Sequence, residues 1–394
     1  KPDHVTSYSI VEKKDVWGFQ NNEKFAYMRL NFKTLLDRRK VNSVFAYNNK
    51  YRRFHVYESN IDPVLRLMHR TGIQSTGWLD TGDDCVRSYL AHVDIDLWCN
   101  DWTTLKPVNR DDIAPFVVAS VDIECNSSTG KFPDADIPGD ACFQIAVSLC
   151  KFGSDEPYKK TCLCYKKTEG PDVVSFDTER GMLEAFQKYL HVNDIDIITG
   201  WNIFGFDLQY IYKRAQYTGC DPEFFNMGKF KDTPSELVMK MSSSALGDNF
   251  LKLLPMSGRF IFDLFHEVKR GYKLDSYKLN EVSKLYLGDQ KIDMAPKEMF
   301  ARYREEDPVK LGEVAEYCIK DTLLPHRLLN KLCTLLNLIE MAKATWVPLC
   351  FLVERGQQIK VFSQLTKKAR ELGYMVPTIK YGALPEENYE GATV

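Results

Sequence analysis

The pattern of apolar and polar positions divides the chain into two kinds of region. Up to about residue 113, short alternating runs typical of half-buried strands are separated by turn residues. The predicted strands are residues 7–11, 25–31, 43–47 and 53–57. Residues 61–70 instead carry apolar side chains at helical spacing, with Asn60 as the candidate N-cap. The pattern predicts a mainly β N-terminal region with one such helix.

From about residue 114 the elements become longer, and strands alternate with helices. Predicted strands are residues 114–125, 142–150, 161–165, 195–200 and 259–266, and predicted helices are residues 178–190, 208–217, 275–287 and 308–338. Pro325 is expected to break or kink the last helix. Residues 240–245 and 250–254 flank a turn signal, Gly247-Asp248-Asn249, which predicts a projecting hairpin. This region is therefore predicted to be α/β.

The strand at residues 114–125 is apolar enough to be buried on both faces, yet it ends in two carboxylates. Asp122 and Glu124 are two residues apart, so their side chains point to the same side of the strand. Two like charges at the rim of a core are costly unless a cation joins them, and oxygen ligands favour Mg²⁺ or Mn²⁺. The alternative is a strand that ends in a solvated loop with ordinary surface acids, and this stretch alone leaves both interpretations open.

Two more acids occupy positions that suit the same site. Asp207 follows a predicted buried strand at its junction with a helix, where α/β sheets place their ligands. Asp321 is flanked by apolar residues, and Tyr317 lies one turn earlier on the same helix face. Four converging carboxylates require compensating charge, which two divalent cations about 3.5–4 Å apart would supply for a displacement at phosphorus.

Composition limits the other possibilities. The 394 residues are enough for two or three domains, and 44% hydrophobic with 27% charged residues is ordinary for a globular protein. A net charge of −2 argues against non-specific polyanion binding by the whole chain. The 11 cysteines include no C-x-x-C pair, which favours reduced thiols in an intracellular protein over disulfides or zinc. No apolar run approaches the roughly 18 residues of a membrane span.

Three motifs together resemble the exonuclease motifs of family B DNA polymerases. They are D-x-E at Asp122 and Glu124, N-x-x-x-F-D at Asn202, Phe206 and Asp207, and Y-x-x-x-D at Tyr317 and Asp321. The likeness covers nearly the whole chain from about residue 50 and is greatest to delta-type polymerases, through segments such as residues 355–361 and 389–394. Residues 200–205 are also similar to those of delta-like polymerases of large DNA viruses.

The resemblance implies a fold and a domain order. The expected fold is an RNase H-like exonuclease domain with a mixed sheet, beside a mainly β N-terminal domain. The expected domains are residues 1–113 (N-terminal), 114–335 (exonuclease) and 336–394 (a return to the N-terminal domain and a lead-in to the polymerase palm).

The resemblance also assigns roles to residues. Asp122, Glu124, Asp207 and Asp321 would bind two Mg²⁺ or Mn²⁺ ions, and Tyr317 would orient the attacking water. Asn202 and Phe206 would line a channel for the single strand. The hairpin at Gly247, Asp248 and Asn249 would help to separate primer from template. The remaining expected DNA contacts are Gly356, Gln357 and Gln358.

The function implied is proofreading 3′→5′ hydrolysis in a replicative DNA polymerase, acting on primer–template DNA and its single-stranded 3′ end. A sliding clamp and accessory subunits would be partners, in a nucleus or a viral replication compartment. The polymerase motifs are expected beyond residue 394. Two alternatives are a stand-alone exonuclease acting on DNA or RNA, and a catalytically silent DNA-binding scaffold. Residues 357–361 argue against the first, and the presence of all four acids argues against the second.

Overall fold

The computed structural model describes residues 4–18, 20–48, 50–51, 54–241, 250–289 and 294–378. The strands are β1 (Val5–Asp15), β2 (Phe25–Phe32), β3 (Trp78–Asp80), β4 (Cys85–Arg87), β5 (Leu97–Cys99), β6 (Lys106–Val108), β7 (Val117–Cys125), β8 (Cys142–Lys151), β9 (Lys159–Tyr165), β10 (Val173–Phe176), β11 (Ile197–Thr199), β12 (Val238–Met241), β13 (Phe250–Leu253), β14 (Phe260–Ile261) and β15 (Tyr374–Met375). The α-helices are α1 (Leu35–Tyr47), α2 (Pro63–Thr71), α3 (Glu179–Val192), α4 (Asp207–Thr218), α5 (Leu264–Gly271), α6 (Leu279–Leu287), α7 (Pro296–Glu305), α8 (Pro308–Lys331), α9 (Thr334–Thr345), α10 (Leu349–Glu354) and α11 (Gln358–Glu371).

The chain divides into two compact units. The first comprises residues 1–73, 345–347 and 357–394, and the second comprises residues 74–344 and 348–356. In the first unit, β1 lies between β2, which is antiparallel to it, and β15, which is parallel. The domain boundaries expected at residues 113 and 335 stay predictions. No helix in the described ranges is long and apolar enough to cross a membrane.

Three local predictions for the first unit are wrong. Residues 43–47 belong to α1, which Thr34 caps by accepting the Asp37 N–H, because a short apolar run does not distinguish strand from helix. In the described part of residues 53–57, only Tyr57 forms a strand-like bridge, to Pro377. Helix α2 is capped by Asp62 rather than by Asn60, since Pro63 occupies its first turn and Asp62 accepts the Val64 N–H.

A six-stranded mixed sheet organises the second unit, in the order β10-β9-β8-β7-β11-β14. The pairs β7–β8 and β8–β9 are antiparallel. The pairs β10–β9, β7–β11 and β11–β14 are parallel. Every residue of β7 except Asp122 is buried, as expected for a strand covered on both faces. The confirmed mixed sheet brings the carboxyl ends of β7, β11 and β14 to one edge.

Helix α8 packs on one face of this sheet. Alternate residues of β8 contact it: Gln144 donates to the Leu311 carbonyl at 2.9 Å, and Ser148 donates to the Thr322 carbonyl at 3.3 Å. Between them Ala146 joins a buried cluster with Ala315 and Cys318. Small residues at the contact let the helix lie close to the strand, which places the acids of both elements near each other.

Of the break or kink expected at Pro325, the break does not occur, because α8 continues from Pro308 to Lys331, and the kink stays a prediction. Proline removes one helical hydrogen bond, but Leu324, Pro325 and Leu328 are all buried, and this packing maintains the helix. The predicted helix over residues 308–338 is therefore two helices, since α9 begins at Thr334.

Two further segments differ from their predictions or extend beyond the described residues. The strand expected over residues 259–266 ends at Ile261, because Asp263 caps α5 by accepting the Phe265 N–H. Strands β12 and β13 pair antiparallel, as the predicted hairpin requires. The turn that holds Gly247, Asp248 and Asn249 lies outside the described residues, and so do residues 389–394.

A buried ion pair ties α3 and α4 to the loop after β7. The side chains of Arg214 and Glu179 are 2% and 8% exposed and form two hydrogen bonds, of 2.7 and 2.5 Å. Arg214 also donates to the carbonyls of Ala135 and Ile137, and Glu179 accepts the Cys142 N–H. The nitrogen atoms of the guanidinium and both oxygen atoms of the carboxylate thereby have hydrogen-bond partners, as a buried ion pair requires.

Arg214→Met is expected to lower the free energy of unfolding by about 3–5 kcal/mol, because it leaves the Glu179 carboxylate buried without its cation. Adding Glu179→Leu should restore part of the loss, since no charge then remains buried. The matched control is Arg110→Met, which breaks a pair with Asp112 whose side chains are 49% and 54% exposed, and it should cost at most about 1 kcal/mol. Urea denaturation of all three variants measures these changes. Equal losses in the free energy of unfolding for the buried and the exposed pair would contradict the effect assigned to burial.

Candidate active site

The register of β7 against β8 determines where its two acids point. Asp122 lies opposite Ala146, and Glu124 lies opposite Gln144, so both acids share the face that packs on α8. The Cys318 Sγ of α8 is 3.6 Å from Asp122 Oδ2. One ligand atom from each of Asp122, Glu124 and Cys318 fits within 4.8 Å of the other two. The predicted D-x-E pair is therefore a compact cluster of oxygen ligands.

The structure brings Asp207 to the same place by a backbone contact. Its Oδ1 accepts the N–H of Ile123, the residue between Asp122 and Glu124, at 3.2 Å. Asp207 is 3% exposed and is the first residue of α4, as the strand-to-helix interpretation predicted. A helix N-terminus carries partial positive charge, so this is a favourable position for a buried carboxylate.

The charges of the four acids act on the pKa values of two buried thiols. Burial is the main cause that raises the pKa of Cys318, and Asp122, Glu124 and Asp321 raise it further by charge repulsion. Burial likewise raises the pKa of Cys125, with added repulsion from Glu124 and Asp207. The fourth acid, Asp321, is 3% exposed on α8. Asp321 therefore lies within electrostatic range of the Cys318 thiol, as Asp122 and Glu124 do.

Tyr317 lies one helical turn before Asp321. Its ring is half-buried and packs on an apolar cluster formed by Phe143, Leu311 and Val314. Tyr317 and Asp321 are four residues apart and therefore lie on the same face of α8.

The donor set fits a hard divalent cation. Asp122, Glu124, Asp207 and Asp321 offer only carboxylate oxygens, which suit Mg²⁺ or Mn²⁺. Cys318 is a neighbour that sequence reasoning did not assign to the site. Burial and the charge of the neighbouring acids raise the pKa of its thiol well above the ordinary value.

The turn between β11 and α4 is closely packed around Asn202. Asn202 has a φ of 66°, and its carbonyl accepts the N–H groups of Gly205 and Phe206 at 2.9 and 3.0 Å. A Cβ on Gly205 would collide with the Asn202 side chain, and one on Gly200 would lie 2.5 Å from the Val121 carbonyl. Gly200 is therefore required by its close approach to the backbone of β7, whereas at Gly205 the Asn202 side chain would have to move.

An exposed aromatic side chain that sequence reasoning missed stands beside Phe206. Phe132 is 77% exposed, and its ring meets the Phe206 ring edge to face at 5.2 Å between centroids. The loop that bears it is held by Asp140, which accepts the N–H groups of Ser128 and Asp134. The signal in the sequence was a lone aromatic in a stretch rich in Ser, Gly, Pro and Asp, which by itself indicates only a loop.

The remaining predicted DNA contacts are not brought into this cluster by any described contact. Gly356, Gln357 and Gln358 occupy the link from α10 to α11, where the chain passes from one compact unit to the other. Gly247, Asp248 and Asn249 lie outside the described residues. The DNA-binding roles of these six residues stay predictions.

A mixed sheet with acids gathered at the end of its central strand, and a helix supplying another, defines the RNase H-like class of nuclease folds. The same fold occurs in the family B DNA polymerase of the archaeon Pyrobaculum calidifontis, with a TM-score of 0.68 and 20% identity over 95% of this chain and 43% of that one.

Sequence comparison identifies the family. Residues 54–282 match the exonuclease domain of DNA polymerase family B. The chain is 34% identical to a DNA polymerase of Paramecium bursaria Chlorella virus NY2A, over 98% of this chain and 42% of that protein. It is 32% identical to the DNA polymerase delta catalytic subunit of Arabidopsis thaliana, over all of this chain and 37% of that subunit. The chain belongs to DNA polymerase family B and contains its exonuclease domain, and it spans about two fifths of these relatives' length.

Metal binding can be tested without measuring catalysis. At a concentration 100 times its Kd, Mn²⁺ should raise the free energy of unfolding by about 2.7 kcal/mol, because it binds only the folded carboxylate cluster. The double variant Asp122→Asn, Glu124→Gln should lose this gain and should be more stable than the wild type without metal, since repulsion is relieved. Glu316→Gln, on the exposed face of α8, is the control and should keep the gain. Equal Mn²⁺ stabilisation of the wild type and the double variant in thermal unfolding would refute the site.

Proposed function

We propose that this chain is the proofreading part of a replicative DNA polymerase and that it hydrolyses the last phosphodiester at the 3′ end of DNA. The observation that carries the proposal is the contact of Asp207 with the backbone between Asp122 and Glu124. This contact brings acids from β7 and α4 together, near the acid of α8. A strand end with a purely structural role would not need such a cluster of acids. Membership in the family supports the same conclusion.

Two Mg²⁺ or Mn²⁺ ions, when bound, would lower the charge barrier to attack at phosphorus and stabilise the leaving oxygen. Asp122, Glu124, Asp207 and Asp321 would hold them. Two of these acids have restricted positions, because the Ile123 N–H holds Asp207 and the packed helix α8 holds Asp321. Tyr317 would hold the attacking water through its hydroxyl, from a ring that the Phe143 cluster keeps in place.

The aromatic pair of Phe132 and Phe206 supplies a binding surface for the end of the strand. An exposed ring fixed beside the acids can stack on an unpaired base, and such stacking tolerates any sequence, as removal of mismatched ends requires. Asn202 would contribute polar contacts from the same turn. The substrate is therefore single-stranded DNA presented from a primer–template.

Partners and location follow from the relatives alone. The similar proteins are polymerases of viruses and of eukaryotes, which supports action in a nucleus or a viral replication compartment. A sliding clamp and accessory subunits are expected partners on the same basis.

The direct test is digestion of a 3′-labelled single-stranded oligonucleotide. Release of 3′-terminal nucleotides should require Mg²⁺ or Mn²⁺ and should stop in excess chelator. The variant Asp122→Ala, Glu124→Ala should retain its fold and lose activity by several powers of ten, because the ions lose their first two ligands. Wild-type rates in the double variant, or full activity in chelator, would overturn the proposal.

The role proposed for Tyr317 can be tested separately from that of the acids. Tyr317→Phe keeps the ring that packs on Phe143 and removes only the hydroxyl, so metal affinity should stay unchanged. Loss of one positioning hydrogen bond should lower turnover by one to two powers of ten, about 1–3 kcal/mol. Turnover in single-turnover assays and Mn²⁺ affinity by calorimetry are the two measurements. A variant that loses metal binding, or keeps full turnover, would show that the tyrosine has another role.

Phe132→Ala should weaken binding of single-stranded ends and leave the catalytic step intact. Removing one stacking ring costs about 1–3 kcal/mol, so KM should rise by roughly tenfold or more with little change in kcat. Tyr158→Ala is the control, since Tyr158 is an exposed ring (53%) that packs against Lys151 in the same unit. An equal rise in KM for both variants would show that the effect does not depend on the position of Phe132.

A further inference from the structure

One buried carboxylate next to the candidate site has no role among the metal ligands. Asp263 follows β14, has no exposed side-chain surface, and caps α5 through the Phe265 N–H at 3.0 Å. Burying a carboxyl group is costly unless several donors surround it. Burial is the main cause that raises the pKa of Asp263 to about 7, against the lowering effect of its N–H donors. An ordinary helix cap at the surface would avoid that cost.

The other donors to Asp263 come from the turn that precedes Asp207. The Asn202 N–H donates to Oδ1 at 2.9 Å, and the Phe204 N–H donates to Oδ2 at 3.0 Å. This contact is possible because β11 and β14 are adjacent parallel strands whose carboxyl ends meet at the same edge. The Leu264 N–H also donates to the Gly200 carbonyl at 3.2 Å, so both ends of the contact are fixed to the sheet.

A chain of backbone hydrogen bonds leads from the Asp263 carboxylate towards the candidate metal ligands. Asn202, whose N–H is held by Asp263, accepts the Phe206 N–H at 3.0 Å through its carbonyl. Phe206 directly precedes Asp207, which contacts the backbone of β7 at Ile123. A shift of the turn would therefore move Asn202 and Phe206 first, while Asp207 keeps its own contact with β7.

We infer that Asp263 is a positioning residue for DNA hydrolysis, holding the turn of Asn202 and Phe206 where the 3′ end of a single strand must lie. The expected effect on cleavage rests on the proposed nuclease function, whereas the holding of the turn by Asp263 does not. Asp263 has no direct contact with the substrate in this scheme. It acts through two backbone N–H groups of the turn.

Two substitutions give graded expectations. Asp263→Ala removes all three acceptor contacts, so amide hydrogen exchange at Asn202 and Phe204 should accelerate by about tenfold or more. Asp263→Asn keeps an acceptor oxygen for Asn202 and Phe265 but turns an NH₂ group towards Phe204, so only the Phe204 amide should accelerate. The Leu208 amide, which donates to the Ile203 carbonyl, is the internal control.

Cleavage and metal binding complete the test in the same 394-residue chain. For Mg²⁺-dependent release of nucleotides from a single-stranded oligonucleotide, kcat/KM should fall about tenfold or more in Asp263→Ala and less in Asp263→Asn. Stabilisation by Mn²⁺ should persist in both variants, because the carboxylates of Asp122, Glu124 and Asp207 remain in place. A merely structural role predicts faster exchange throughout α5 and β14 and loss of the Mn²⁺ effect. Asp62→Ala, which removes the N-cap of α2 in the other compact unit, should change none of these quantities.

The outcomes separate this inference from the proposed function. If the wild-type chain releases no nucleotides, the nuclease proposal fails, while the exchange data still decide whether Asp263 holds the turn. If exchange at Asn202 and Phe204 is unchanged in Asp263→Ala, the positioning role is refuted. If exchange accelerates but kcat/KM stays at the wild-type value, the turn is held by Asp263 without any consequence for cleavage, and the inference is wrong. Should Asp263→Ala fail to fold, the selective effect at Phe204 in Asp263→Asn decides.

Discussion

Repulsion between carboxylates at the end of β7 is the constraint on which the candidate site depends. Three of the four acids are at most 9% exposed, and water cannot screen them as it would at the surface. The protein offers partial compensation through the Ile123 N–H and the N-terminus of α4, both of which act on Asp207. Full compensation requires cations, which supports the proposed binding of divalent metal ions.

The rest of the second unit keeps these acids close in spite of their repulsion. The contact between Ile123 and Asp207 joins residues 84 positions apart, and the parallel pairing of β7 with β11 makes it possible. On the other side, Ala146 and Ala315 give α8 a close approach to the sheet, and the Gln144 side chain is bonded to the helix backbone. Rigid elements thus hold the site from three directions, which is what precise positioning of reacting groups demands.

The proposed substrate-binding surface is built from loops that the same scaffold restrains. Arg214 and Asp140 fix the loop that carries Phe132, and Asp263 fixes the turn that carries Phe206. Both loops leave the same edge of the sheet, so their rings meet. Loops of this kind can place binding residues beside a catalytic centre without burying them. Ordering a loop costs conformational entropy, and the buried ionic and N–H contacts at the base of each loop offset that cost.

The sequence by itself determined the elements whose pattern is local. The apolar run of β7 with two acids at its end, the junction at Asp207 and the helical spacing of Tyr317 and Asp321 all follow from periods of 2 and 3.6 residues. Family motifs added the roles that these residues are expected to have. Where two conformations compete locally, the pattern failed: residues 43–47 are helical because of the Thr34 cap, and α8 runs through Pro325 because its neighbours are buried.

Only the tertiary structure decided which side chains meet. Phe132 is an unremarkable loop residue until the Arg214 contacts place its ring on Phe206, and Asp263 is one carboxylate among many until β14 pairs with β11. Cys318 next to Asp122 is likewise a result of the packing of α8 on β7 and β8. These contacts join residues far apart in the chain through sheet register and helix packing, and no local period encodes either of them.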